Sequence, residues 1–551
     1  MTRKVLIIGG VAGGASAAAR LRRLDESAEI IMFERGEHIS FANCGLPYYV
    51  GGIIPERDSL LVQTPRAMQR RFNIDVRTFS EVVRIIPAEK KIRVRNLLDD
   101  STYEENYDYL VLSPGATPFK PPVPGIDLPN VFTVRNIPDS DQIKNWVSAE
   151  RAATAVVVGG GFVGLEMAEN LIHAGLKVAL VEAGDQVMMP LDREMANIVH
   201  RYLRRRGIAL YLSERMVSCE GEGRVKEVKL AGGGVLPADL VILGTGVLPE
   251  AELARDAGLT VGPTRGIAVN EYLQTSDPFI YAVGDAIQVQ NFVSGMETMI
   301  PLAGPANKQG RIVADNICGR PSKYEGTLGT AIAKIFDMAV ATTGLNEKTL
   351  KKMEQRYEVS YTHPAPYATY YPGGSFMSIK LIFDPENGKI LGAQIVGYEG
   401  VDKRIDVLAA CIRKGLNVFD LQELELAYAP PFSSAKDPVN MAGYVAGNII
   451  NGDVDIVHWH QIDELKSQGA IIVDVRTRHE HLEGAIPGAV NIPVDSLRDR
   501  MSELPRDSQI VLCCRVGMRA YYAYRILKQH GYTRAKNLSG GYLTYDPAVN
   551  G

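Results

Sequence analysis

V-V-V-G-G-G-F-V-G-L-E-M-A-E-N-L-I-H-A-G-L-K-V-A-L-V-E, running from Val156 to Glu182, is the stretch that decides the fold. An apolar run ends in a glycine cluster, a helical segment follows from Leu165 to Ala174, a second apolar run spans Lys177 to Val181, and an acid closes the unit. A parallel strand of this kind delivers the backbone into a tight turn, and glycines let the chain approach a pyrophosphate. The N–H groups at the start of the helix then face that anion. Gly159, Gly161 and Gly164 sit at the required spacing, and Glu182 stands where a carboxylate accepts hydrogen bonds from a ribose diol.

The same design occurs near the start of the chain. Val5 to Ile8 precede G-G-V-A-G-G; a helical segment from Ala15 to Leu24, a strand near Ile30 to Phe33 and Glu34 follow. Val11 occupies the place of the middle glycine, so Gly9, Gly14 and Glu34 carry this second site. Two dinucleotide folds in 551 residues leave room for further domains, and a chain of this length implies roughly three or four.

Composition narrows the class. With 46% hydrophobic and 23% charged residues the chain reads as an ordinary globular protein, and a net charge of -4 gives no reason to expect nucleic acid or an anionic membrane as partner. Six scattered cysteines do not make a disulfide framework and favour a reducing compartment. The apolar start after Lys4 is broken by Gly9 and Gly10, well short of a signal core or a span, so a cytoplasmic location is expected. No metal-ligand spacing is present.

The later motifs resemble those of the two-dinucleotide flavoprotein disulfide reductases. T-S-D-P-F-I-Y-A-V-G-D-A, ending at Ala286, is similar to the segment with which that family presents an aspartate to the ribityl chain of FAD; Gly284 and Asp285 match it. Y-L-V-L-S-P-G-A-T-P around Gly115 and V-I-L-G-T-G-V-L-P around Gly246 resemble its crossovers, which makes the second dinucleotide domain an insertion into the first. Glu182, followed by Ala183 and Gly184, disfavours a 2′-phosphate, so NADH is the expected reductant with NADPH use open.

Within that family F-A-N-C-G-L-P-Y-Y, with Cys44 and with Ser40 in place of a second cysteine, closely resembles coenzyme A disulfide reductase. The resemblance covers about the first 445 residues. It implies a Cys44 that forms a mixed disulfide with coenzyme A, and a coenzyme A path along Ser16, Arg20, Arg23, Ser40, Asn43, Lys308 and Lys436, with Arg71 a weaker candidate beside Phe72. On charge alone Arg20, Arg22 and Arg23 read as a solvated helix face. Y-A-T-Y-Y-P-G and L-A-Y-A-P-P-F-S-S-A-K-D-P resemble interface segments that reach across a homodimer toward the partner's cysteine, with Tyr371 and Tyr428 as proton donors. Tyr367 and Phe432 depart from the family pattern, which often has histidine and tyrosine at those places.

After Asn451 the composition changes. I-I-V-D-V-R, H-E-H-L-E-G-A-I-P-G-A-V-N-I-P, I-V-L-C-C-R-V-G-M-R and L-S-G-G-Y together resemble a rhodanese domain. Cys514 to Arg519 form a loop whose backbone N–H groups point inward at a readily formed thiolate, and its length suits a persulfide rather than a phosphate. Cys513 reads as a core residue or as a resolving thiol, and Cys219, Cys318 and Cys411 as structural.

The expected architecture is α/β: an FAD-binding domain (1–115 and 246–320), an NAD(P)H-binding domain (116–245), an α+β interface domain (321–445), a linker (446–457) and a rhodanese domain (458–551). The expected activity is NADH-dependent reduction of persulfides or polysulfides, coenzyme A persulfide among them, with release of sulfide. Coenzyme A disulfide reduction, an NADH oxidase or peroxidase resting on a Cys44 sulfenate, and a sulfur carrier or redox sensor are the alternatives.

Overall fold

The computed structural model describes residues 2–149 and 152–551. The chain divides into two compact units, Met1–Asp185 with Ile208–Gly329, and Gln186–Gly207 with Thr330–Gly551.

The first unit holds two five-stranded parallel sheets. In one, the order is Ile280–Ala282, Tyr109–Leu112, Lys4–Ile8, Glu29–Phe33, Asp75–Arg77. In the other it is Ala209–Tyr211, Lys177–Val181, Thr154–Val158, Leu240–Leu243, Val131–Thr133. Val5, Leu6 and Ile7, like Val156 and Val157, are completely buried, as expected of strands covered on both faces. The helices after the glycine loops run Ala12–Leu24 and Phe162–His173. Each starts three residues earlier than the sequence suggests, because Gly13 and Gly14, and Gly164, lie inside the first turns instead of before them.

The second unit holds an antiparallel five-stranded sheet, in the order Ala331–Ile335, Met338–Gly344, Ile390–Gly397, Ser378–Phe383, Glu358–Thr362. It also holds a parallel five-stranded sheet, in the order Ile456–Val457, Ala535–Leu538, Ile510–Cys513, Ile471–Asp474, Val490–Asn491. The α/β class with two Rossmann-like sheets, an α+β layer and a small C-terminal α/β sheet is therefore as expected. The helix Arg193–Arg205 follows the second dinucleotide motif in sequence but belongs to this unit, where Asn197 donates to the carbonyls of Pro547 and Ala548. Fully buried Lys380 meets Asp192, Glu194 and Glu347 there, and Tyr361 also donates to Glu194. Among the described residues no helix is long and apolar enough to cross a membrane.

Candidate active sites

The two glycine loops have the same internal geometry. A Cβ on Gly14 would lie 2.0 Å from the carbonyl oxygen of Gly9, and one on Gly164 would lie 1.9 Å from that of Gly159. Gly9 and Gly159 themselves adopt φ of 95° and 108°, the left-handed region that glycine tolerates. In each loop the acid ties the turn together. Glu34 accepts from the N–H groups of Gly10 (3.0 Å) and Gly36 (2.9 Å), and Glu182 accepts from those of Gly160 (2.6 Å) and Gly184 (2.7 Å).

These residues fit two dinucleotides. A Cβ on Gly161 would meet nothing within 4 Å, so the loop opens onto free space where a pyrophosphate would lie. Asp285 stands in a short turn at the end of strand Ile280–Ala282, beside the first glycine loop: the N–H of Gly284 donates to Gln309 (2.7 Å), and Ser113 Oγ accepts from the N–H of Gly14 (3.0 Å). Burial raises the Asp285 pKa, with the Arg135 charge opposing. Gly115, at φ 80°, faces Arg135.

Cys44 is exposed, in the short helical turn Asn43–Gly45. Desolvation of its sulfur, then the carboxylates of Glu166 and Asp285, push the thiol pKa up. Glu166, on the helix behind the second glycine loop, is raised to about 7 by burial and by Glu169, and Tyr48 is raised to about 12 by burial and by the same two acids. Sequence reading did not single out Glu166; its signal is an acid two residues after the last glycine of the fingerprint.

A cavity of about 370 Å³ opens beside the first dinucleotide helix. Ser16, Arg20, Arg23 and Ser40 line it, together with Phe72, Asn307 and Arg311, which the sequence did not reveal. Arg20 is anchored by Asp315 at 2.7 Å, and Ser16 is hydrogen-bonded to Asn307. Arg23 and Arg311 are exposed and without a hydrogen bond or ion pair among the described residues. Arg22 is no part of a solvated face: it is 4% exposed, and its guanidinium caps the carbonyls of Phe72, Asp25, Glu26, Ala28 and Asn73. Asn43, Arg71 and Lys308 are not in the lining, Lys308 lying over the Tyr324 ring, and Lys436 belongs to the other unit.

In the second unit Tyr370 and Tyr428 join hydroxyls at 3.0 Å, and Tyr371 packs edge-on against Tyr367. All are exposed except Tyr367, whose hydroxyl donates to the Pro372 carbonyl. Buried Arg404 links their loops through Pro366 O, Ser433 Oγ and Asp437.

The C-terminal thiol is enclosed. Cys514 is completely buried, and its Sγ accepts from the Gly517 N–H at 3.1 Å, where the helix Met518–Gln529 begins. Arg519 makes a two-pronged pair with Glu480 (2.8 and 2.6 Å) and also interacts with Cys514. Cys513 lies in a different core cluster from Cys514, among Val457, Ile472 and Tyr545, and burial pushes its thiol far up. These surroundings fit the core role for Cys513.

A family description, pyridine nucleotide-disulphide oxidoreductase, matches residues 3–310, more than half of the chain, and the dimerisation domain of the same enzymes matches 330–438. The chain belongs to this family. A rhodanese-like domain matches residues 459–546 of the oxidoreductase. It is 36% identical over 444 residues to coenzyme A disulfide reductase of Staphylococcus epidermidis, covering 80% of this chain and 99% of that one. A Methanocaldococcus jannaschii NADH oxidase is 38% identical over 440 residues, covering 80% and 97%. Among solved structures, the reduced Bacillus anthracis CoADR-RHD superposes with a TM-score of 0.98 at 52% identity, covering 100% of this chain and 99% of that one. The NAD-dependent persulfide reductase from A. fulgidus gives 0.93 at 38%, covering 98% and 100%. The oxidoreductase is thus an enzyme acting on sulfur groups, with the FAD and NAD(P)H that its family implies.

Proposed function

We propose that this protein is an NADH-dependent persulfide and polysulfide reductase, with coenzyme A persulfide among its substrates and sulfide as product. The observation that carries this reading is the presence of two different sulfur sites in one chain: exposed Cys44 in the oxidoreductase unit, and enclosed Cys514 under the Gly517 N–H.

Gly9, Gly14, Glu34, Gly115, Gly284 and Asp285 would hold FAD; Gly159, Gly161, Gly164 and Glu182 would hold NADH. Bound, these groups supply two electrons to a sulfur on Cys44. The Cys44 thiolate attacks the inner sulfur of the persulfide, the S–S bond breaks, sulfide leaves, and Cys44 keeps the thiol as a mixed disulfide. Two electrons then release that thiol and restore the Cys44 thiolate. Arg20, Arg23 and Arg311 suit the phosphates of coenzyme A, with Ser16, Ser40, Asn43, Lys308 and Lys436 along its path. In a homodimer, Tyr371 and Tyr428 protonate the leaving sulfur of the partner's site. Bound coenzyme A carries sulfur from Cys514, held by its loop and Arg519, to Cys44.

The test is anaerobic NADH oxidation with coenzyme A persulfide, polysulfide and coenzyme A disulfide. Cys44→Ser should abolish turnover of all three, and Cys514→Ser only that of polysulfide, because coenzyme A persulfide is the form in which sulfur reaches Cys44. If Cys514→Ser is silent throughout, the coenzyme A disulfide reductase reading replaces this one. That reading is favoured by the Staphylococcus epidermidis relative, which is matched over 99% of its length by 80% of this chain.

A further inference from the structure

The geometry points to a composite sulfur-donor site, in which Phe376 of the dimerisation domain sets the specificity of the Cys514 loop for donors bearing an anionic group beside the transferable sulfur. This rests on the reading of Cys514 as the sulfur-accepting thiol.

Arg515 directly follows Cys514 and is exposed. Among the described residues its guanidinium makes no hydrogen bond or ion pair, and its neighbour is the Phe376 ring, 5.3 Å from the ring centroid. An arginine side chain free in solvent has rotamer freedom to lose on binding an anion. Laid on an aromatic face it is partly ordered in advance, and its N–H edge remains available. Phe376 is 42% exposed, so burial in a core does not account for it.

The same domain also holds the 539–544 segment, which supports the loop. The Tyr361 N–H donates to Ser539 Oγ (3.4 Å), and His363 Nε2 pairs with Thr544 Oγ1 (2.8 Å). Between those two contacts, the Tyr542 N–H donates to the carbonyl of Cys514 (2.8 Å) and the Leu543 N–H to that of Arg515 (2.9 Å). A Cβ on Gly540 would come within 2.6 Å of Tyr361 Cβ, so the fit is close. The backbone of the sulfur loop is thereby held through the 539–544 segment, while its guanidinium lies on the Phe376 ring. The loop is built onto the dimerisation domain.

The step served is a transfer of sulfane sulfur. The Cys514 thiolate attacks the outer sulfur of the donor, the donor's S–S bond breaks, and the electron pair leaves with the inner fragment, sulfite from thiosulfate or a thiolate from a persulfide. Cys514 keeps the sulfur as a persulfide, and no outside oxidant or reductant is consumed. Arg515 holds the anionic part of the donor during the attack.

Thiocyanate formation from cyanide by the full-length FAD-loaded protein reads this step. Thiosulfate and glutathione persulfide serve as anionic donors and cysteamine persulfide as the cationic one. Phe376→Leu keeps apolar bulk and removes the ring; it should raise KM for the anionic donors about five-fold, equivalent to ~1 kcal/mol, with kcat within about two-fold. KM for cysteamine persulfide should move less than about two-fold, Phe376→Tyr should retain the wild-type preference, and Arg515→Ala should raise KM for the same anionic donors by at least as much as Phe376→Leu. Equal shifts for both donor classes, or none, overturn the proposal. Melting temperature and flavin content show that each variant is folded. Cys514→Ser separates the two readings: thiocyanate formation surviving that change removes the role of Cys514 itself, whatever Phe376 does.

Discussion

Replacing Glu480 by glutamine tests how the sulfur loop is held. The carboxylate grips Arg519 with both oxygens, at 2.6 and 2.8 Å, and accepts from the Thr477 hydroxyl (3.0 Å) in a capping box at the start of the helix Arg478–Leu482. Arg519, and then the Thr477 contacts, pull its pKa from 4.5 down to about 2. At about 1.36 kcal/mol per unit the full shift would be worth ~3 kcal/mol. The pair is partly open to solvent, with side chains 28% and 26% exposed, and screening brings the expected contribution to about 1 kcal/mol. A depressed carboxylate pKa stabilises the fold fully above pH 4.5, and that contribution disappears as pH falls toward 2. Glu480→Gln should therefore lower the melting temperature by the same few degrees throughout pH 5 to 8, and the gap should close in acid. With one acceptor left for two prongs, Arg519 swings away from Cys514, and thiocyanate formation should fall about ten-fold, equivalent to ~1.4 kcal/mol. Wild-type sulfur transfer in a measurably destabilised variant would show that Arg519 needs no carboxylate to be placed. An unchanged melting temperature at pH 7 would refute the energetic reasoning.

Three other outcomes follow from the first unit. Gly14→Ala puts a Cβ 2.0 Å from the Gly9 carbonyl oxygen, so the purified variant should lack flavin absorbance; full flavin content would mean that the loop yields. Arg23→Ala and Arg311→Ala each remove a cation from the 370 Å³ cavity and should raise KM for coenzyme A disulfide about ten-fold, less at high salt, while a salt-independent effect would point to packing instead. Glu166, raised from 4.5 to about 7, binds its proton more tightly in the fold than in the unfolded chain. Its contribution to stability is present below pH 4.5 and is lost as pH rises through 7, so Glu166→Gln should flatten the decline of melting temperature between pH 5 and 8; an identical slope in both proteins contradicts the assignment.

What could be read from the sequence was what local backbone chemistry demands. Gly9 and Gly14, like Gly159 and Gly164, are fixed by close approaches inside a single turn, so their spacing is visible without any tertiary information. The Cys514 loop is legible for the same reason, since Gly517 both caps a helix and donates to the sulfur. The 370 Å³ cavity was only half legible, because Phe72, Asn307 and Arg311 reach it from separate segments with no pattern of their own. Arg22 shows the limit most directly. In sequence it is indistinguishable from Arg20 and Arg23, yet its burial among five backbone carbonyls makes it structural. Likewise nothing in the 186–207 stretch announces that its helix packs with the C-terminal unit, a choice made by Asn197 and Arg201 against Pro547 and Asp546.

On the function proposed above Cys44 and Cys514 are the two sulfur sites, and their surroundings are opposite. Cys44 is exposed and its thiol pKa is raised, with Glu166 and Asp285 acting against the thiolate; a bulky partner can reach it, and ionisation there gains from a positive or electron-withdrawing group brought close. Cys514 is completely buried beneath a backbone N–H, so only a slender group can approach its sulfur. A folded protein surface does not meet that condition, whereas a thiol at the end of a long flexible arm does. Coenzyme A has such an arm, and its phosphates suit the free Arg23 and Arg311 in the unit that holds Cys44. On the function proposed above, an enclosed thiol at Cys514 and an exposed one at Cys44 therefore favour a tethered small-molecule carrier of sulfur.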